Sequence, residues 1–191
     1  KDSQIPYIPS KVRPEQVRRT IALVVDDLTL SFESTYWVRE ALRKYVNEQV
    51  QDGDLVAIIR TGTGIGALQQ FTTNKYQLLA SINKIKFNLG GQSGIGTFNY
   101  DDFREKSEVK EFRENIFTSG TLGALNFIVK GMRDLPGRKS VVLLSDGLRL
   151  LYRDDDGKPR QSVVMSSLRR LIDFANRSSV IFYTIDAKGL L

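Results

Sequence analysis

The chain contains no cysteine and no histidine in 191 residues. Without cysteine there are no disulfides, no thiolate metal ligands and no sulfur nucleophile. Without histidine there is no Ser-His-Asp or Cys-His catalysis, no imidazole ligation and no ordinary proton shuttle near neutral pH. An enzyme of the common hydrolytic kinds is therefore not expected. Long apolar runs are missing too. None approaches the ~20 residues that cross a bilayer, so no membrane insertion is expected. Lys1 opens the chain with neither an initiator methionine nor a signal-like apolar segment.

What is present is a basic chain, net charge +6, with a sequence pI near 9.5. The basic residues come in scattered pairs, such as Arg18-Arg19, Arg43-Lys44, Arg138-Lys139 and Arg169-Arg170. No basic run interleaved with aromatics occurs, so these pairs read as solvated faces and no nucleic-acid partner is expected. The hydrophobic content of 41% suits one α/β core at this length.

Apolar periodicity orders the chain. Residues 1–20 hold three of the five prolines and read as an extended lead-in. Residues 21–25, 55–59, 140–144 and 180–185 are short, continuously apolar runs, the mark of parallel strands covered on both faces. Helical spacing follows each of the first two. Val38, Leu42, Val46 and Val50 form one stripe, with Ser34 or Thr35 as its cap. Leu78, Leu79, Ile82 and Ile85 form another, capped by Asn74. Leu122, Leu125, Ile128, Val129 and Met132 mark a third helix, opened by Ser119-Gly120-Thr121 and stopped by Pro136-Gly137. Val164, Leu168, Leu171, Ile172 and Ala175 mark a fourth. Thr61-Gly62-Thr63-Gly64-Ile65-Gly66 precedes a strand-like segment, so it reads as a hairpin turn leading to an antiparallel edge strand at 67–72 rather than a dinucleotide fingerprint. Residues 88–111 break the rhythm and read as an irregular loop. Asp154-Asp155-Asp156-Gly157 lacks the later ligands of a calcium loop and reads as a turn. The alternation of strands and helices predicts an α/β fold: a doubly wound, mostly parallel central sheet with helices on both faces. Such sheets bind ligands beyond the carboxyl ends of their strands.

Two strand ends carry oxygen ligands. Residues 21–25 run into Asp26-Asp27-Leu28-Thr29-Leu30-Ser31, and residues 141–144 into Ser145-Asp146-Gly147. If residues 27–31 are locally extended, Asp27, Thr29 and Ser31 share one face while Leu28 and Leu30 turn inward. Asp26 is then left to bond nearby backbone or a basic side chain. With Thr121 and Asp146, these residues make a hard, all-oxygen donor set suited to a divalent cation. Trp37, Ser119 and Gly120 fall where they could line its rim.

Asp27-Leu28-Thr29-Leu30-Ser31, a distant Thr121 and a strand-end Asp146 together resemble the metal-ion-dependent adhesion site of von Willebrand factor type A domains. Thr29 stands where serine is usual. Phe71-Thr72, Pro136-Gly137-Arg138-Lys139 and Ile185-Asp186-Ala187-Lys188-Gly189-Leu190 further resemble the type A-related proteins of soil bacteria. The resemblance spans about residues 21–185. It implies a magnesium site (or manganese or calcium), formed by Asp27, Thr29, Ser31, Thr121 and Asp146. It also implies a protein partner that completes the coordination with an acidic side chain, and an extracytoplasmic location, secreted or at the cell envelope. Members of the family carry a further helix and strand after the segment matching 180–185, so residues 21–191 are expected to form a domain lacking those elements. Two other readings remain: a scaffold domain without metal, and a metal-dependent phosphate- or nucleotide-handling enzyme.

Overall fold

The computed structural model describes residues 13–63, 71–91, 107–148, 150–153, 159–161 and 164–189. Four strands form an all-parallel sheet: β1 (Arg19–Val25), β2 (Asp54–Arg60), β3 (Arg138–Ser145) and β6 (Val180–Asp186), in the order β2-β1-β3-β6. These are the four runs expected from the sequence, with β1 starting two residues before Ile21. The order places β1 and β3 centrally, where a strand must bury both faces. Ile21, Ala22, Leu23, Val24 and Val25 are all buried accordingly.

Helices cover both faces. α1 (Phe32–Glu48) and α2 (Lys75–Asn83) pack Val38, Leu42, Val46, Leu78 and Ile82 against Ile21, Leu23, Val25, Val56 and Ile58. On the opposite face, α3 (Ser107–Met132) and α4 (Met165–Arg177) bring Leu122, Leu125, Val129, Leu171 and Ala175 against Ala22, Val24, Ala57, Val141 and Leu143. The period of two in the strands thus splits one apolar run into two cores. A small antiparallel hairpin, β4 (Leu151–Arg153) with β5 (Pro159–Gln161), was not anticipated from the sequence.

Several local expectations change. α1 is capped by Ser31, whose Oγ accepts from the Ser34 backbone N–H at 3.0 Å, so Ser34 and Thr35 lie inside its first turn. Asn74 caps α2, accepting from Tyr76 and Gln77 N–H. α3 begins at Ser107, twelve residues before Ser119, so Ser119-Gly120-Thr121 lies mid-helix and does not open it. The Glu, Lys and Arg residues that gave 107–115 its loop-like polarity are also good helix formers, which explains the difference. The antiparallel edge strand is not shown. Residues 64–70 lie outside the described residues, and what remains is one antiparallel bridge between Val56 and Thr72. The turn at 154–157 lies outside the described residues, as do residues 1–12 of the lead-in and 92–106 of the expected loop. Gly137 adopts φ +78°, and a Cβ there would meet the Arg18 carbonyl oxygen at 2.9 Å; this tight turn after α3 needs glycine on both counts.

Candidate functional site

The parallel register places a polar row just beyond the apolar ones. Val25 aligns with Arg60 on one side and Leu144 on the other, so the next row brings Asp26 between Thr61 and Ser145. Asp26 N–H still donates to Leu144 O at 2.9 Å, extending the ladder by one residue. By strand alternation Asp26, Thr61 and Ser145 continue the face of Ala22, Ala57 and Val141, the face that α3 covers. Thr121, projecting from α3, completes the cluster from above.

Asp26 is fully buried and accepts from four hydroxyls. Thr121 Oγ1 (2.7 Å) and Thr61 Oγ1 (2.9 Å) donate to its Oδ1. Thr29 Oγ1 and Ser145 Oγ, each at 2.8 Å, donate to Oδ2. Thr29 reaches this position because residues 27–29 form a turn, with Thr29 and Leu30 N–H both bonding to Asp26 O. Residues 27–31 are therefore not extended, and Asp26 meets hydroxyls rather than backbone or a basic side chain. A turn rotates successive side chains away from the strict alternation assumed for a strand.

The proposed ligands fall into three groups. Thr29 and Thr121 meet on Asp26. Ser31 and Asp146 meet each other: Ser31 N–H donates to Asp146 Oδ2 at 2.8 Å. The Ser31 hydroxyl is occupied as the α1 cap and also donates to Ser34 Oγ at 2.9 Å. Asp146 Oδ1 is buried and has no hydrogen-bond partner among the described residues. Asp27 lies on the other parity, apart from the first group. Its Oδ1 accepts from Gly62 N–H at 2.6 Å and from Thr61 Oγ1 at 3.3 Å, while Arg60 Nη1 stands 3.9 Å from Oδ2. Burial pushes the Asp27 carboxyl above its ordinary range, against the opposing pull of the Gly62 N–H, Arg60 and Thr61. Thr61 touches both aspartates and links the two groups.

Ser119 and Gly120 are exposed on α3. A Cβ at Gly120 would sit 3.1 Å from Leu28 Cδ1, so this glycine lets the 27–29 turn approach the helix. Trp37 packs edge-on against Tyr36, ring centroids 5.1 Å apart, on the second turn of α1. Gly91 closes over the first turn: a Cβ there would lie 3.0 Å from the carbonyl oxygens of both Asp27 and Leu28. The residues missed in the sequence are thus Asp26, Thr61, Ser145 and Gly91. Asp26 and Ser145 were legible in principle as the first polar position after their apolar runs, whereas Thr61 follows Arg60 and carried no such signal.

The donor set is entirely oxygen, and the buried, unpartnered Asp146 Oδ1 fits a hard cation. Among the described residues no group of three or more acidic side chains is arranged to hold a metal. Any ion here would rely on hydroxyls for much of its shell. Comparison with protein-family models and with curated proteins found no match.

Proposed function

We propose that the chain is a divalent-cation-dependent protein-binding module of the von Willebrand factor type A kind, with Thr29, Thr121 and Asp146 as the residues that hold the ion and Asp26 as the anion behind them. One observation carries this reading: the Asp26 carboxyl is buried and, among the described residues, has four hydroxyl partners and no Lys or Arg. A buried carboxylate without a cation is costly, and an ion beside it recovers that cost. A hydroxyl whose proton is held by Asp26 keeps its lone pairs for an electron-poor neighbour. When bound, magnesium would supply a Lewis-acidic position that accepts a carboxylate from a partner protein. Ser31 orients Asp146 through its N–H and starts α1 with its hydroxyl. Asp27 neighbours the site through Thr61. The cluster holds no nucleophile–base pair, which favours binding over catalysis.

A second reading has its own support. The same four hydroxyls already satisfy both oxygens of Asp26, so the cluster can act as a pin joining β1, β2, β3 and α3 without metal. Thermal unfolding in EDTA and in millimolar magnesium, for the wild type, Asp26→Asn and Asp27→Asn, separates the two. The metal reading expects stabilisation by magnesium that Asp26→Asn abolishes. If Asp27→Asn abolishes it instead, the ion sits on the other side of Thr61. Identical curves in EDTA and magnesium leave the pin.

A further inference from the structure

The turn after β1 carries one apolar side chain that neither core explains. Leu28 is half-buried and belongs to neither apolar cluster of the sheet, whereas Leu30, two residues on, is buried in the α1 core. The two methyl carbons of Leu28 face two glycines from chain-distant segments. A Cβ at Gly120 on α3 would sit 3.1 Å from Leu28 Cδ1, and one at Gly62, just after β2, would sit 3.2 Å from Leu28 Cδ2. Carbon atoms pack best about 3.5–4.0 Å apart, so this slot admits Leu28 because both of its walls lack a side chain. The turn has no room to back away. A Cβ at Gly91 would lie 3.0 Å from the carbonyl oxygens of both Asp27 and Leu28, which sets the backbone of Gly91 directly over them.

Asp26 lies between the same two segments. Thr61, which donates to Asp26 Oδ1 at 2.9 Å, immediately precedes Gly62. Thr121, which donates to the same oxygen at 2.7 Å, immediately follows Gly120. Two threonines therefore clasp Oδ1, and the glycines beside them clasp Leu28 two residues further along the turn. The donors to Oδ2, Thr29 and Ser145, come from the turn itself and from β3, not from the walls of the slot. We propose that Leu28 is a positioning residue: it spaces the end of β2 from α3 and so holds Thr61 and Thr121 at bonding distance from Asp26 Oδ1. Its effect on the hydroxyls stands on this geometry alone, while its effect on an ion rests on the function proposed above. There Leu28 fixes the place of Thr121, one of the residues assigned to the ion. Magnesium demands near-ideal octahedral geometry and calcium accepts a looser shell, so a rigid spacer favours magnesium.

Hydroxyl protons held on a buried carboxylate exchange with water only when the site opens, so NMR can follow the four donors to Asp26 one by one. Leu28→Ala should lose the Thr61 and Thr121 signals and keep those of Thr29 and Ser145. Leu28→Met, which conserves volume, should keep all four. A side chain that only added packing would lower stability without dividing the donors in this way. Four unchanged signals in Leu28→Ala overturn the proposal, as do four lost together. The slot itself is tested on α3. An added Cβ at Gly123 meets nothing within 4 Å, so Gly123→Ala should raise the melting temperature by about 2–4 °C through helix propensity. Gly120→Ala should forfeit that gain in the wild type and recover it beside Leu28→Ala. An equal rise for both glycines in the wild type overturns the proposal. In magnesium, Leu28→Ala should lose most of the wild-type thermal shift, and in calcium it should lose less. A full magnesium shift in Leu28→Ala also overturns it. A wild type that magnesium leaves unmoved refutes the proposed function instead, and the hydroxyl signals and the two glycines still decide the role of Leu28.

Discussion

Asp26 and Asp54 are buried aspartates at opposite ends of the same sheet, satisfied by opposite chemistry. Asp54 opens β2 and aligns with Arg19 of β1. It accepts from Arg19 Nε at 2.7 Å, from Arg19 Nη2, and from Gln51 N–H at 2.9 Å. Burial alone would raise its pKa, but the Arg19 hydrogen bond and charge prevail and hold it below the usual carboxylate range. At the carboxyl end, the Asp26 carboxyl receives only neutral hydroxyls among the described residues. The buried acid at the amino end of the sheet carries its own counter-ion, whereas Asp26 at the carboxyl end is met by hydroxyl dipoles. On the proposed reading, that difference makes one buried acid structural and the other a place for a cation from solution.

The largest expected effect tests the hydroxyl cluster directly. Asp26→Ala leaves four buried hydroxyls without their acceptor and should cost about 3 kcal/mol in urea unfolding. A loss below about 1 kcal/mol would show that water readily replaces the carboxylate. Next comes the ion. At a hundredfold excess over its dissociation constant, magnesium should stabilise the wild type by about 2.7 kcal/mol. Asp26→Asn and Asp146→Ala should abolish that gain and Asp54→Asn should preserve it, as read by thermal shift with and without EDTA. If Asp54→Asn abolishes it equally, the ion has no preference for the carboxyl end.

Arg19→Met sharpens the comparison from the other end, since it strands a buried Asp54. Because Arg19 is itself 42% exposed, water softens the loss to about 1–2 kcal/mol, below that of a fully buried pair. The smallest effects concern pH, and their signs differ. Asp54 is depressed, so its contribution is present above the ordinary 3.8 and fades as pH falls through its lowered folded value. Asp27 is raised, so its burial cost is absent below 3.8, grows with rising pH and is complete above its folded value. Urea unfolding between pH 3 and 7 should therefore show Asp54→Asn losing ground relative to wild type as pH rises. Asp27→Asn should gain, by about 1 kcal/mol or less, since Asn still accepts from Gly62 N–H. A pH-independent difference for both variants would mean that neither carboxyl is perturbed by the fold.

The sheet was legible because its information is local. Four apolar runs of strand length, each separated by a helical stripe, leave little choice but parallel strands with crossover helices. The candidate site was legible only in outline. Thr29 and Asp146 could be picked out as polar residues after strands, and Thr121 as the opening of a helix in whose interior it proves to lie. Choosing Asp27 over Asp26 depended on assuming that residues 27–31 are extended, whereas the turn held by the Asp26 carbonyl brings Thr29 to Asp26. Thr61 looked like part of a glycine-rich hairpin, and nothing in its neighbourhood indicates a buried partner on β1. Likewise the charged sequence before Asn115 resembled a loop because polarity alone does not distinguish a solvent-facing helix from irregular chain.

The sequence by itself determined the alternation of elements, the two apolar faces of each strand and the absence of thiol and imidazole chemistry, because residue type and spacing fix these before any contact forms. Only the tertiary structure decided which aspartate became the centre. That choice required the parallel register to align Thr61, Asp26 and Ser145 in one row, and α3 to lie on their side with Thr121 facing inward. Register and helix placement are set by cooperative burial across residues more than a hundred positions apart, so no local pattern could reveal that four hydroxyls would converge on Asp26 and leave Asp27 beside Arg60.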